Sequence, residues 1–167
     1  MRLFGGRSDA PLSEAKADKA FKAGMTLIEG EDDSESFKAA AERFEEAAMA
    51  GHIEAQYMLG YCYYKSPMAG RSYEKAVYWY SKAADQGHPE AQYALGQMYE
   101  NGYGVPQSMA KAAAMYLKAA ENGHAQAQLS YAELCENGTV DGDAIFWYSK
   151  AADQGLKIAA EALKRLE

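Results

Sequence analysis

The chain contains 167 residues, of which 49% are apolar and 25% are charged, and it carries a formal charge of -7. These values suit one folded domain or one short repeat array, and the negative charge argues against a protein that binds nucleic acid or anionic membranes. No apolar run approaches the roughly 18 residues of a membrane-spanning helix, and the first residues lack the apolar core of a secretory signal. We expect a cytoplasmic protein, or a periplasmic or secreted one if a signal peptide has been removed.

The N-terminal stretch, residues 1–13, contains two glycines, a proline and few apolar side chains. This composition predicts a flexible tail, for which a frayed end, a docking peptide and a processed leader are alternative interpretations. Apolar residues return at helical spacing from Glu14, with Ser13 as the candidate N-cap. We therefore predict a single repeat domain over residues 14–167.

Glycines mark a repeating unit in the rest of the chain. Gly51, Gly87 and Gly123 are spaced 36 residues apart, each is followed by histidine, and Gly155 follows 32 residues later. Each comes just after an alanine-rich stretch, where a glycine in the left-handed conformation can end a helix at little cost. Recurrence at a fixed period indicates a repeat protein. The predicted units, each of two helices, are 19–51, 52–87, 88–123 and 124–155, followed by a capping helix over 156–167.

Several short motifs recur within these units. MLG at 58–60 and ALG at 94–96 are followed by tyrosine within three residues, GYGV at 102–105 forms a loop, and WYSKAADQGH at 79–88 ends a helix. This pattern resembles the Sel-one-like repeat, a relative of the tetratricopeptide repeat. The resemblance implies an all-α fold, an α/α solenoid that forms a right-handed superhelix of stacked helix-turn-helix repeats. It also implies a non-enzymatic scaffold or adaptor in protein complexes, often bacterial, with no shared catalytic residue and no cofactor.

One branch of this family implies a different activity. Its cysteine-rich members carry a disulfide within each repeat and are linked to β-lactam binding. The chain has two cysteines, Cys62 and Cys135, in different units, so the activity of that branch is not carried over to it. A small-molecule, β-lactam or cell-wall-fragment binding protein or hydrolase stays as the alternative to a scaffold.

The first helix of the second unit, residues 54–64, has two distinct sides. At 100° per residue, Ala55, Met58, Leu59, Cys62 and Tyr63 share the side that should face the core, and tyrosines occupy the opposite side. First helices line the concave face of an α-solenoid, which such proteins use to bind partners. Extending the tyrosine positions by the repeat period gives the candidate partner-binding residues: Tyr57, Tyr61, Tyr64, Tyr93, Gln97, Glu100, Leu129, Glu133 and Glu136.

The chemistry of these side chains predicts the partner. Tyrosine is enriched in interface hot spots, and the three glutamates favour a basic ligand. We predict a protein or peptide partner with apolar or aromatic residues at one end and Lys or Arg at the other. The alternative is that the tyrosines only pack between neighbouring first helices. We expect a monomer, although an uncovered end of the array could pair with a second copy.

Neither a metal site nor a catalytic set is predicted. His52, His88 and His124 occupy one position of successive units, so they should lie about 10 Å apart, too far to share an ion. We interpret them as turn or cap residues. The second-helix aromatic residues are predicted to be core, and Cys62 and Cys135 to be buried free thiols of a reducing compartment. These aromatic residues are Trp79, Tyr80, Tyr116, Trp147 and Tyr148.

Overall fold

The computed structural model describes residues 13–30, 34–65 and 72–166. The described residues form nine α-helices and no strand, so the predicted all-α class is confirmed. Apart from Ser13, the predicted N-terminal tail lies outside the described residues. The helices are α1 (Glu14–Gly30), α2 (Ser34–Met49), α3 (Ile53–Lys65), α4 (Tyr73–Ala84), α5 (Pro89–Asn101), α6 (Met109–Glu121), α7 (Ala125–Glu136), α8 (Ala144–Asp153) and α9 (Lys157–Leu166).

Helix ends follow local sequence signals. The side chains of Ser72, Ser108 and Asp143 cap α4, α6 and α8 by accepting a backbone N–H three residues further on. Such caps satisfy donors that the first turn of a helix leaves without partners. The predicted closing glycines are confirmed: Gly51, Gly87, Gly123 and Gly155 all have φ between 86° and 91°. Each turn thereby reverses the chain and starts the next helix.

Each helix packs mainly on the helices before and after it in the chain. The helices therefore form four hairpins, α1–α2 to α7–α8, with α9 packed on α8. We call α1, α3, α5, α7 and α9 the first helices and the others the second helices. The predicted core aromatics of the second helices are confirmed for Trp79, Tyr80, Tyr116 and Tyr148, which are at most 3% exposed, whereas Trp147 is half-buried.

Glycines inside three first helices allow close contact with the second helices. A Cβ atom added at Gly24, Gly60 or Gly96 would lie 2.5–2.7 Å from the ring of Phe44, Tyr80 or Tyr116, respectively. The ring thus lies directly against the backbone of the first helix. The same contact in α1–α2 shows that the first hairpin is built like the second and third.

The two cysteines differ in burial. Cys62 is 2% exposed, and burial raises the pKa of its thiol to about 12. Cys135 is only half-buried beside Gly142, so the prediction of a buried thiol is wrong for this residue. It lies near the end of α7, where the short loop to α8 covers it incompletely. Both thiols are unpaired.

The last helix, α9, exposes both charged and apolar side chains. Lys157, Glu161 and Lys164 are exposed, as expected for a cap, but Ile158 is 62% exposed as well.

Within the described ranges, no helix has the length and apolar character needed to cross a bilayer.

Candidate functional site: the first-helix face

The predicted partner-binding residues lie in three rows, one each on α3, α5 and α7. We call the side of the array that these rows form the first-helix face. Gln97, Glu133 and Glu136 are exposed there, whereas the four predicted tyrosines and Glu100 are half-buried. The face therefore offers polar and acidic groups at the surface, with aromatic rings set between them.

Tyr57 and Tyr93 are held by the following repeat unit. The Tyr57 ring stacks on His88 at 4.9 Å between centroids, and the Tyr93 ring stacks on His124 at 4.6 Å. Each also packs on a core tyrosine of its own hairpin, Tyr80 or Tyr116. Burial raises the pKa of both phenols. Packing between units, the alternative interpretation of the tyrosines, thus accounts for the position of these two rings.

Tyr61 and Tyr64 join a wider group of aromatic side chains. The ring centroid of Tyr61 lies 6.2 Å from that of Phe37 in α2, and the ring centroid of Tyr64 lies 5.8 Å from that of Tyr73 in α4. Tyr73 in turn stacks on Tyr103 in the loop after α5, at 4.7 Å. The aromatic row of α3 therefore continues through Tyr73 to Tyr103 in the loop after α5.

The acidic residues are tied to the core by tyrosine hydroxyls. Tyr116 donates to Glu100 Oε2, and Tyr148 donates to Glu136 Oε2 at 2.6 Å. Glu136 also pairs with Arg165 of α9, at 2.5 Å. Burial, and then the charges of Glu100 and Glu136, raise the pKa of the Glu133 carboxyl. Glu133 is therefore repelled by two neighbouring carboxylates, and a basic side chain placed near it would reduce this repulsion.

Leu129 does not belong to this face. It is 5% exposed and packs in a core with Tyr148, Ala159 and the half-buried Leu156. Leu156 stands at the position that histidine occupies at the start of the earlier units. The tyrosine-histidine pair is thus replaced by two leucines that belong to one core cluster, and Leu129 is buried there, so the prediction of Leu129 as a partner-binding residue is wrong.

A series of buried glutamines connects the units. Gln56, Gln92 and Gln128 are 4–6% exposed, and each Nε2 donates to the carbonyl of an alanine at the end of the preceding second helix, at 3.1–3.2 Å. Each Oε1 accepts from an amide side chain in the turn that ends its own unit: Gln86 at 2.6 Å, Asn122 at 3.0 Å and Gln154 at 2.8 Å.

These glutamines were not among the predicted residues. The available signal was Ala-Gln at 55–56, 91–92 and 127–128, a polar residue that recurs at the repeat period beside a core alanine. A polar side chain that recurs at a core position needs a partner there, because burying it without one is costly. The recurrence could therefore have predicted a hydrogen bond at every junction between units.

The three histidines are caps, as predicted. The Nδ1 atoms of His52, His88 and His124 accept the backbone N–H of the alanine three residues on, at 3.1–3.2 Å. The first two also face carboxylates, Asp18 at 3.3 Å from His52 Nε2 and Glu54 at 2.8 Å from His88 Nε2. In the part of the chain that the structure describes, no three His, Cys, Asp or Glu residues are grouped so that they could hold a metal ion.

A surface depression of about 570 Å³ lies where α7, α8 and α9 meet. It opens beside the acidic end of the first-helix face, since Glu136 belongs to both. Its lining residues are Glu136, Gly142, Asp143, Ala144, Ile145 and Leu166.

Stacked helical hairpins, joined at each junction by the same glutamine and histidine contacts, define an α/α repeat scaffold. A family model described as the Sel1 repeat matches residues 53–88, 89–124 and 125–156, more than half of the chain. The chain belongs to the Sel1 repeat family, which is the Sel-one-like repeat that its sequence motifs resemble. The family resemblance and the α/α solenoid are thereby confirmed.

Two solved structures are similar to this chain. The first is c5321, described as a protective antigen present in uropathogenic Escherichia coli strains displaying an SLR fold. It has 34% identity and a TM-score of 0.81, over 90% of this chain and 33% of that one. The second is a Sel1 repeat protein from Oxalobacter formigenes, with 31% identity and a TM-score of 0.76, over 86% of this chain and 59% of that one. The chain thus spans less than two thirds of each. Comparison with curated proteins finds no match.

Proposed function

We propose that this protein is a non-enzymatic scaffold that holds a peptide or a protein surface on its first-helix face. Members of the Sel1 repeat family generally act as scaffolds for protein–protein interactions. The observation that supports this face is its exposed polar side chains, Gln97 on α5 and Glu133 and Glu136 on α7, which lie beside the aromatic row of α3. Aromatic anchors next to polar, solvent-exposed groups are the usual composition of a protein interface.

The charges on this face favour a partner with basic residues. Glu100 and Glu136 are already hydrogen-bonded to core tyrosines, so their carboxylates are held in fixed positions. Glu133 lies in the field of both, and a lysine or arginine from a partner would reduce the repulsion among the three. The aromatic row would take the apolar part of the same partner. We propose that one protein copy binds one such segment.

The test compares Glu133→Arg with Glu42→Arg in capture from cells and in binding to synthetic peptides that combine aromatic and basic residues. Both glutamates are exposed, but Glu42 lies on the second helix α2 and not on the first-helix face. We expect Glu133→Arg to reduce binding by about tenfold or more and Glu42→Arg to leave it unchanged. Equal loss in both variants, or in neither, would exclude the first-helix face as the binding surface.

A cytoplasmic location is also proposed, supported by the two unpaired thiols, Cys62 and Cys135. Cell fractionation tests this directly, and recovery outside the cytoplasm would contradict it. The alternative of a β-lactam-binding protein gains no support from the described residues, because these cysteines are unpaired and the depression beside α9 is a surface feature.

A further inference from the structure

His124 combines a capping bond with a ring contact at the start of the fourth unit. Its Nδ1 accepts the N–H of Ala127 at 3.1 Å, and its ring stacks on Tyr93 at an interplanar angle of 23°. Because Nδ1 accepts a hydrogen bond, the neutral ring must carry its proton on Nε2. The neutral form of His124 is therefore the form that caps α7.

Protonation is incompatible with this cap. A proton on Nδ1 would point at the N–H of Ala127, so two donors would face each other and the hydrogen bond would be lost. The imidazolium would also lie at the N-terminus of α7, where the helix dipole disfavours positive charge. The charged ring therefore needs compensation from neighbouring carboxylates if the junction is to stay intact.

The surroundings of His124 supply little of this compensation. The neighbouring helix α5 contributes Glu90 and Tyr93. Helix α6, which ends at the exposed Glu121, contributes the Ala119 carbonyl, which accepts the His124 backbone N–H. Among the described residues, no carboxylate lies within ion-pair distance of the His124 ring, whereas both His52 and His88 have one. Burial lowers the pKa of the His124 ring, and the charge of Glu90 offsets this only in part.

Glu90 explains this difference between the junctions. Glu90 is the equivalent, in the third unit, of Glu54 in the second unit. Glu54 contacts the histidine of the following unit, whereas Glu90 Oε2 lies 3.4 Å from Nδ1 of His88 in its own unit. His88 thus faces carboxylates near both ring nitrogens, Glu54 and Glu90. A protonated His88 has acceptors for both ring protons, and a protonated His124 has none in its immediate contact.

We propose that the junction between α6 and α7 is an acid-sensitive hinge, in which protonation of His124 releases the first turn of α7 and the ring of Tyr93. The direction of the pH dependence follows from the linkage between protonation and folding. A histidine that is harder to protonate in the folded state stabilises the fold fully above its ordinary pKa of about 6.5 and loses that contribution as the pH falls below it. Tyr93 lies on the first-helix face, so acid would also weaken partner binding, a consequence that rests on the proposed function.

Amide hydrogen exchange tests the hinge without any partner. The N–H of Ala127 donates to the His124 ring and that of Gln128 donates to the His124 carbonyl, at 3.0 Å, so both report on the first turn of α7. Protection factors, which correct for the intrinsic pH dependence of exchange, are measured at pH 7.5 and pH 5.5. We expect them to fall severalfold in acid, by at most about tenfold, because an ordinary histidine is protonated about 10:1 at pH 5.5.

Two matched variants locate the effect. His124→Asn keeps a strong N-cap that does not titrate, so protection of α7 should be the same at both pH values. His88→Asn makes the same change one unit earlier and should retain the fall at α7. Unchanged protection in the wild-type protein, or a fall that persists in His124→Asn, would overturn the hinge. Neither outcome bears on whether Glu133→Arg impairs partner binding.

Discussion

His88 and His124 begin successive units and make the same contacts in different electrostatic surroundings. Each caps its helix through Nδ1 and stacks on a tyrosine of the preceding first helix, and in each case a buried glutamine lies four residues further on. Only His88 faces carboxylates at ion-pair distance. The comparison shows that a repeat reproduces backbone geometry and packing more faithfully than charge, because a long acidic side chain at an equivalent position can turn toward a different neighbour.

The largest expected effect tests whether packing at the two junctions is equivalent. Gln92→Ala and Gln128→Ala should each lower the free energy of unfolding by about 2–3 kcal/mol, because each removes one buried and one half-buried hydrogen bond and leaves a cavity. Chemical denaturation measures both. The exposed Gln126→Ala provides the control and should change stability by less than about 0.5 kcal/mol. A loss at only one of the two glutamines would break the equivalence.

A smaller effect distinguishes the third unit from the fourth. Gly96→Ala would place a Cβ 2.5 Å from the Tyr116 ring, so the ring or helix must shift, at a cost of about 1–2 kcal/mol. The equivalent residue in α7 is Ala132, which the fourth unit accommodates while fully buried. Thermal unfolding of Gly96→Ala measures the cost. Unchanged stability would mean that the third unit has the same room at this contact as the fourth.

The smallest effect concerns charge on α7. The pKa of Glu133 is raised in the folded protein, so ionising it opposes folding above that pKa, and the cost disappears below the ordinary value of 4.5. Because solvent screens this exposed carboxylate, Glu133→Gln should raise the free energy of unfolding at pH 7 by no more than about 0.5 kcal/mol and leave it unchanged at pH 3.5. Denaturation at both pH values is the measurement. A gain of the same size at pH 3.5 would assign it to packing instead of charge.

The candidate site was only partly predictable from the sequence. The periodicity identified the rows on α3, α5 and α7, and it placed Gln97 and Glu133 at exposed positions. It failed at Leu129, since a period describes where the backbone returns and not which side chain the next unit presents. Leu156 in place of a histidine closed that position. The hydrogen bonds from Tyr116 to Glu100 and from Tyr148 to Glu136 also required the packed hairpins, because each bond joins two helices.

The sequence by itself determined the repeat. Closing glycines 36 residues apart, alanine-rich second helices and recurrent Ala-Gln pairs act through local backbone preference and burial, which depend on residue type and spacing. Only the tertiary structure decided how the units are coupled. The stacking of Tyr93 on His124 and the hydrogen bond from Asn122 to Gln92 depend on side-chain directions at contacts about 30 residues apart. The tertiary structure also decided the direction of Glu90, which turns toward His88 of its own unit. These directions follow from how one hairpin packs against the next, which a linear pattern does not contain.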